Sequence, residues 1–183
     1  MASQNDIRLG RLISLVLRHD PSAAGITLDE HGWAVVDDLL SGMNRRGHSI
    51  DPATLRRIVA ENDKARYCLS QDGRRIRANQ GHSVDVDVQL AVADPPAELF
   101  HGTAERFLDS IKRAGLQPRQ RQYIHLSADV DTAIKVGRRH GAPVVLRVDS
   151  AAMAHDGHIF RLSQNNVWLT DAVPWRYLTP LPR

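Results

Sequence analysis

The sequence has few of the features that would mark a secreted, membrane or metal-binding protein. Its single cysteine, Cys68, excludes an intrachain disulfide and suits a reducing compartment. No apolar run approaches the roughly 20 residues needed to cross a bilayer. The opening residues carry Asn5, Asp6 and Arg8 instead of the apolar core of a secretory signal. The expected setting is therefore cytoplasmic and soluble, with no membrane partner and no obligate protein partner evident. Nine histidines invite a metal, yet there is no H-E-x-x-H, no cysteine pair and no spaced His/Asp set. Metal: none is the expectation. A G-x-S-x-G elbow, a G-x-G-x-x-G after a strand and a Walker loop are also missing, which removes serine hydrolysis and the two common nucleotide folds. Cys68, between Tyr67 and Leu69, reads as a small core residue.

What is present is arginine. Lys and Arg total 24 against 21 acidic residues, and only Lys64, Lys112 and Lys135 are lysines. An arginine fork grips phosphate bidentately. A GC-rich genome would enrich arginine codons without any such purpose, so individual positions must decide.

The chain is expected to be α+β in two lobes, residues 1–90 and 97–183, with the boundary at the stiff pair Pro95-Pro96. In the first half Leu9, Leu12, Ile13, Val16 and Leu17 recur at helical spacing, and Pro21 ends that helix. A second helix is predicted over Asp37–Arg46, stopping at Gly47. A third begins with Asp51 as N-cap and Pro52 in the first turn, with Ile50 placed to staple onto Leu55. Arg66–Ser70 and Arg74–Asn79 read as a hairpin around Gln71-Asp72-Gly73. Alternation of Val84, Val86, Val88 and Leu90 predicts a further strand before the boundary. Three helices and a hairpin form the layout of a winged helix. In the second half, strands are predicted at Glu98–His101, Tyr123–Leu126 and Pro143–Val148, and helices at Ala104–Ala114 and Asp129–His140. Two more strands should flank an Asn165-Asn166 turn. The result is a mixed, strand-rich lobe.

Four segments are candidates for chemistry. Arg18-His19 ends the first helix, where cations also simply suit the dipole. Arg75 and Arg77 fall on one face of the hairpin strand, where an exposed wing needs charge in any case. His101-Gly102-Thr103 is predicted at a strand-to-helix junction, whose free N–H groups would suit an anion, although Thr103 is also a good N-cap. Arg121 to Ser127 is a second strand running towards a helix start. His155 and His158, flanking Asp156-Gly157, read as a solvated turn.

Taken together, these segments resemble the RNA 2′-phosphotransferase family, relatives of the tRNA-splicing enzyme of fungi, over nearly the whole chain. The resemblance is carried by Ser14-Leu15-Val16-Leu17-Arg18-His19 with Pro21, and by the highly specific Ile76-Arg77-Ala78-Asn79-Gln80-Gly81-His82-Ser83. In the second half it is carried by His101-Gly102-Thr103, by Arg121 with His125-Leu126-Ser127, and by Asn165-Asn166-Val167-Trp168-Leu169-Thr170. It implies an N-terminal winged-helix lobe for RNA and phosphate, and a C-terminal ADP-ribosyltransferase-like lobe for NAD⁺.

The implied partner is an RNA bearing a 2′-phosphate, with NAD⁺ consumed as co-substrate. That phosphate would attack the nicotinamide ribose, giving a 2′-phospho-ADP-ribosyl RNA. A second transfer would then free 2′-hydroxyl RNA and ADP-ribose 1″,2″-cyclic phosphate. The implied catalytic residues are Arg18, His19, Arg77 and Arg121. Those implied for NAD⁺ are His101, Gly102, Thr103, His125, Ser127 and Val167. Val167 stands where many protein-modifying relatives of that lobe carry a glutamate. Gly10-Arg11 replaces a more frequent Ser-Lys, Asn166 a frequent Gly, and Arg119 a common Met, which leaves Arg119 as an alternative to Arg121. Two other functions stay open at this point: ADP-ribosylation of terminal RNA or DNA phosphates, and nucleic-acid binding without turnover.

Overall fold

The first helix forms because its apolar residues fall on one stripe. The computed structural model describes residues 3–182, and α1 runs Gln4–Arg18 with Leu9, Ile13, Val16 and Leu17 fully buried. Ser3 caps it by accepting from the Asp6 N–H at 3.0 Å. Asp20 then caps a 3₁₀ turn over Pro21–Ala24. The short strand β1 (Ala34–Val35) leads into α2 (Val36–Arg45), and Gly47 beyond it takes φ +81°. Helix α3 spans Pro52–Ala60; Asp51 caps it at 2.7 Å, and Ile50 and Leu55 are both buried. Strands β2 (Tyr67–Leu69) and β3 (Arg75–Ala78) are the hairpin, turned at Gly73 with φ +70°. The sheet order is β1-β3-β2, antiparallel throughout. One apolar core joins the three helices to Tyr67, Ile76 and Ala78. These elements form one compact unit ending at Gln89; a second begins at Leu90.

The strand expected from Val84 to Leu90 does not form. Its burial alternates as the pattern requires, with Val88 buried and Asp85, Asp87 and Gln89 exposed. The backbone bends at Val84 and Asp85, and no strand pairs with the segment to complete a ladder. Gln89 (φ +55°) then breaks the run before β4, Ala91–Val92. Cys68 is half-buried on β2, less enclosed than a core position.

In the second unit β5 covers Glu98–Ala104, three residues longer than predicted, and is followed by a 3₁₀ turn (Glu105–Phe107) and α4 (Leu108–Ala114). Strand β6 is Ile124–Leu126, and α5 is Val130–Gly137 with Asp129 as cap. A 3₁₀ turn at Arg138–His140 completes the span predicted as one helix. Then come β7 (Pro143–Asp149), α6 (Ser150–His155), β8 (Phe160–Leu162), β9 (Trp168–Thr170) and β10 (Leu178–Pro180). Two antiparallel sheets result, β10-β7-β5 and β4-β8-β9-β6. Phe100 bridges Ser127 between them. Their shared core includes Leu99, Leu126, Leu146, Met153 and Phe160. Asn166 turns the β8–β9 hairpin at φ +58°. No helix of the described residues is long and apolar enough to cross a membrane.

Candidate functional site

In the first unit the end of α1 and the end of β3 bring several cationic or neutral donors together with little water around them. Arg18 closes α1 and is 8% exposed; Arg77, on β3, is 9% exposed; Asn79 is 7% and His82 1%. Arg18 is therefore more than a solvated helix-end cation. The Arg66 carbonyl accepts from the Asn79 N–H at 2.9 Å and from Arg18 Nη2 at 3.5 Å, which ties the two segments to one anchor.

His19 is the residue after α1 and is exposed. Its Nδ1 lies 2.9 Å from Ser83 Oγ, and the Ser83 N–H donates to the Arg18 carbonyl at 2.9 Å. Ser83 thus closes the helix and orients the imidazole together.

His82 reports on the electrostatics. Burial first, and then the charges of Arg18, His19 and Arg77, push its pKa down to about 4, so the ring is neutral at pH 7. Both of its ring nitrogens, Nε and Nη1 of Arg77, and Oδ1 of Asn79 are buried with no hydrogen-bond partner among the described residues. Arg77 also has no carboxylate within ion-pair distance among them. A buried guanidinium left in that state is costly, and a bound anion would relieve it.

Two grooves adjoin this cluster. One, of about 490 Å³, runs past His19 with Asp20, Asp29, Glu30 and Asp85 on its walls, a lining that repels phosphate. The other, of about 940 Å³, carries Arg11, Arg57, Lys64 and Arg66 together with Asp6, Glu61 and Asp63 on its walls. There Arg57 is held bidentately by Asp6, at 2.9 and 3.2 Å.

In the second unit His101, Gly102 and Thr103 lie inside β5, in register with Leu146, Val145 and Val144 of β7. The strand-to-helix junction expected there is absent, and Ala104 precedes the following turn in place of a Thr103 cap. Gly102 is fixed by packing: a Cβ on it would stand 1.8 Å from the Ala133 carbonyl oxygen of α5. Thr103 is buried as well.

His101 Nδ1 lies 3.1 Å from the His125 carbonyl. A carbonyl only accepts, so Nδ1 carries the proton, and in the neutral ring Nε2 is an acceptor. Desolvation lowers the pKa of His101, which keeps that neutral form. His125 Nδ1 lies 3.1 Å from the Tyr123 carbonyl in the same sense. Ser127 pairs with Phe100 on β5, while Val167 precedes β9 and pairs with Ser163 across the β8–β9 turn. His101, His125 and Ser127 therefore gather where the two sheets meet. Arg121 precedes β6; it is exposed along its length, yet its guanidinium is partly desolvated and feels the charge of Arg139, and both effects lower its pKa. Arg119 instead lies over the Phe107 ring at 5.5 Å.

Sequence reasoning missed Trp33, whose ring lies 4.6 Å from the Arg77 guanidinium, and gave no role to His82. His82 stood inside the eight-residue string that carried the resemblance. Nothing local marked Trp33.

The model of the family described as RNA 2′-phosphotransferase, Tpt1 / KptA family, matches residues 4–172. The chain is 56% identical over 171 residues to a protein of Hahella chejuensis, covering 93% of this chain and 92% of that one. It is 57% identical over 169 residues to one of Agrobacterium fabrum, covering 92% and 91%. It is 50% identical over 179 residues to one of Rhodopirellula baltica, covering 97% of each. All three carry the description probable RNA 2′-phosphotransferase.

Proposed function

The chain belongs to the RNA 2′-phosphotransferase family, and from that premise we propose that it removes an RNA 2′-phosphate in a reaction that consumes NAD⁺. The observation that carries this reading is the buried Arg77, with two guanidinium nitrogens lacking a hydrogen-bond partner among the described residues. Beside it lie Arg18, His19 and the neutral His82. Such a set of fixed donors suits a phosphate whose charge rises in transfer. In the proposed reaction Arg18 and Arg77 hold the phosphate oxygens, and Arg121, in the second unit, is the further catalytic arginine that the family resemblance implies. Arginine stays protonated throughout, so proton transfer falls to His19, with Ser83 holding its Nδ1 side. Arg11, Lys64 and Arg66 would contact the flanking RNA backbone along a groove that also holds Glu61, Asp63 and the Asp6–Arg57 pair.

NAD⁺ supplies the sugar carbon that takes the phosphate and the leaving nicotinamide. The second unit has a donor set that fits it: His101 Nε2, an acceptor in the neutral ring, suits a ribose hydroxyl, and Ser127 lies nearby. Gly102 serves by letting α5 approach β5. Three helices with a β2–β3 hairpin are consistent with a winged-helix lobe, and the two antiparallel sheets with an ADP-ribosyltransferase-like one. A cytoplasmic setting follows from the same reading.

The test is to incubate the protein with 2′-phosphorylated RNA, with and without NAD⁺, and to analyse RNA and nucleotide products. Loss of the 2′-phosphate with NAD⁺ only, together with ADP-ribose cyclic phosphate, is expected. ADP-ribose left on terminal phosphates, or binding without turnover, would refute the reading.

A further inference from the structure

An arginine that must offer its N–H groups to a ligand needs to be held by something that does not use them. A carboxylate partner would occupy the same donors and cancel the charge. An aromatic face engages the flat side of the guanidinium and leaves the in-plane donors at its edge.

Arg77 is held in the second way. The β1–β3 register pairs Ala34 with Ile76 and Val35 with Arg75, and Trp33 is the residue that enters β1 beside this pairing. The Arg77 guanidinium lies 4.6 Å from the Trp33 ring centroid, and Arg75 approaches the same ring at 5.4 Å. The ring itself is fixed by its loop. Asp29 Oδ1 accepts from the backbone N–H groups of His31 and Trp33, each at 2.9 Å, and the Trp33 carbonyl accepts from the Asp29 N–H at 2.9 Å. Asp29 Oδ2 stands 3.7 Å from Arg75, and Gly32 takes φ +77° to close the turn.

We propose that Trp33 is a positioning residue for the reaction, setting the Arg77 guanidinium by its ring face so that the Arg77 edge stays available to the RNA 2′-phosphate. The inference rests on the reading of Arg77 as a phosphate ligand. It assigns the Asp29–Trp33 turn a role in the anion site beyond joining the 3₁₀ segment to β1.

The experiment is a double-mutant cycle on the full chain with a 2′-phosphorylated oligonucleotide, using Trp33→Leu and Trp33→Phe in the native and Arg77→Ala backgrounds. Trp33→Leu should lower kcat roughly tenfold with little change in the KM for NAD⁺, and Trp33→Phe, which keeps a ring face, should lose about threefold. In the Arg77→Ala background neither change should lower the remaining rate further. Oligonucleotide affinity without NAD⁺ should follow the same pattern, and it judges Trp33 even if the intact protein releases no phosphate, a result that would refute the parent reading alone. Equal losses in both backgrounds, with parallel loss of thermal stability, would overturn the inference and make Trp33 a fold residue. If Trp33→Leu does not fold, the Phe variant carries the same cycle.

Discussion

Replacing Gly102 by alanine separates packing from ligand approach at the His101-Gly102-Thr103 segment. The added Cβ would stand 1.8 Å from the Ala133 oxygen, 2.7 Å from the Ala133 carbonyl carbon and 2.9 Å from the Gly137 nitrogen. All three are backbone atoms of one helix, so no side chain can swing aside. Helix α5 would have to retreat from β5 by more than an ångström, loosening the fully buried Ala133. Overpacking costs about 1–3 kcal/mol, and contact with backbone on a rigid strand belongs at the upper end. For a chain of 183 residues, about 3 kcal/mol lowers the melting temperature by on the order of 6–12 °C. Thermal unfolding of the full chain, followed by far-UV circular dichroism, measures the loss, and NAD⁺ affinity at a temperature where the variant is folded measures the site. A variant that melts with the native protein but no longer binds NAD⁺ would refute the packing argument and make Gly102 a point of ligand approach.

Acid should act on His82 in a defined window. Its folded pKa of about 4 lies below the 6.5 of an ordinary imidazole, so as pH falls through 6.5 the unfolded chain takes up a proton that the folded ring refuses. Stability should drop by about 3 kcal/mol by pH 4, above the range in which carboxylates such as Asp6, lowered by Arg57, begin to lose theirs. Urea midpoints against pH should therefore fall more steeply for the native chain than for His82→Asn; parallel profiles would show that the ring is not held neutral. For His19, the His19→Ala variant should accumulate a 2′-phospho-ADP-ribosyl RNA on time-resolved gels of labelled RNA, and normal release of 2′-hydroxyl RNA with no adduct would leave His19 a helix-end cation. Arg18→Ala should instead slow formation and breakdown of that adduct together, by about a hundredfold in each; a variant slowed only in breakdown would contradict a phosphate ligand present in both steps.

Signals confined to a few neighbouring residues were legible. The apolar stripe of α1, the Asp51-Pro52 start of α3, the Gly73 turn and the Asn166 turn each follow from periodicity, capping or left-handed backbone, and each formed where the residues indicated. Family membership was legible for a related reason: strings such as Ile76–Ser83 are short and specific, wherever their partners lie. Contacts made across the chain were not legible. The alternation of Val84, Val86 and Val88 gave the correct burial but could not say that no strand would lie beside it. His101-Gly102-Thr103 looked like a junction because the sequence does not state that β7 extends far enough to keep β5 paired through Ala104. Gly102 then takes its meaning from α5, more than 30 residues away. Likewise, Arg77 showed its charge in the sequence. Its burial, the neutral His82 beside it and the Trp33 ring against it came only with strand register and tertiary packing, because desolvation depends on what surrounds a group in space and not on its neighbours in the chain.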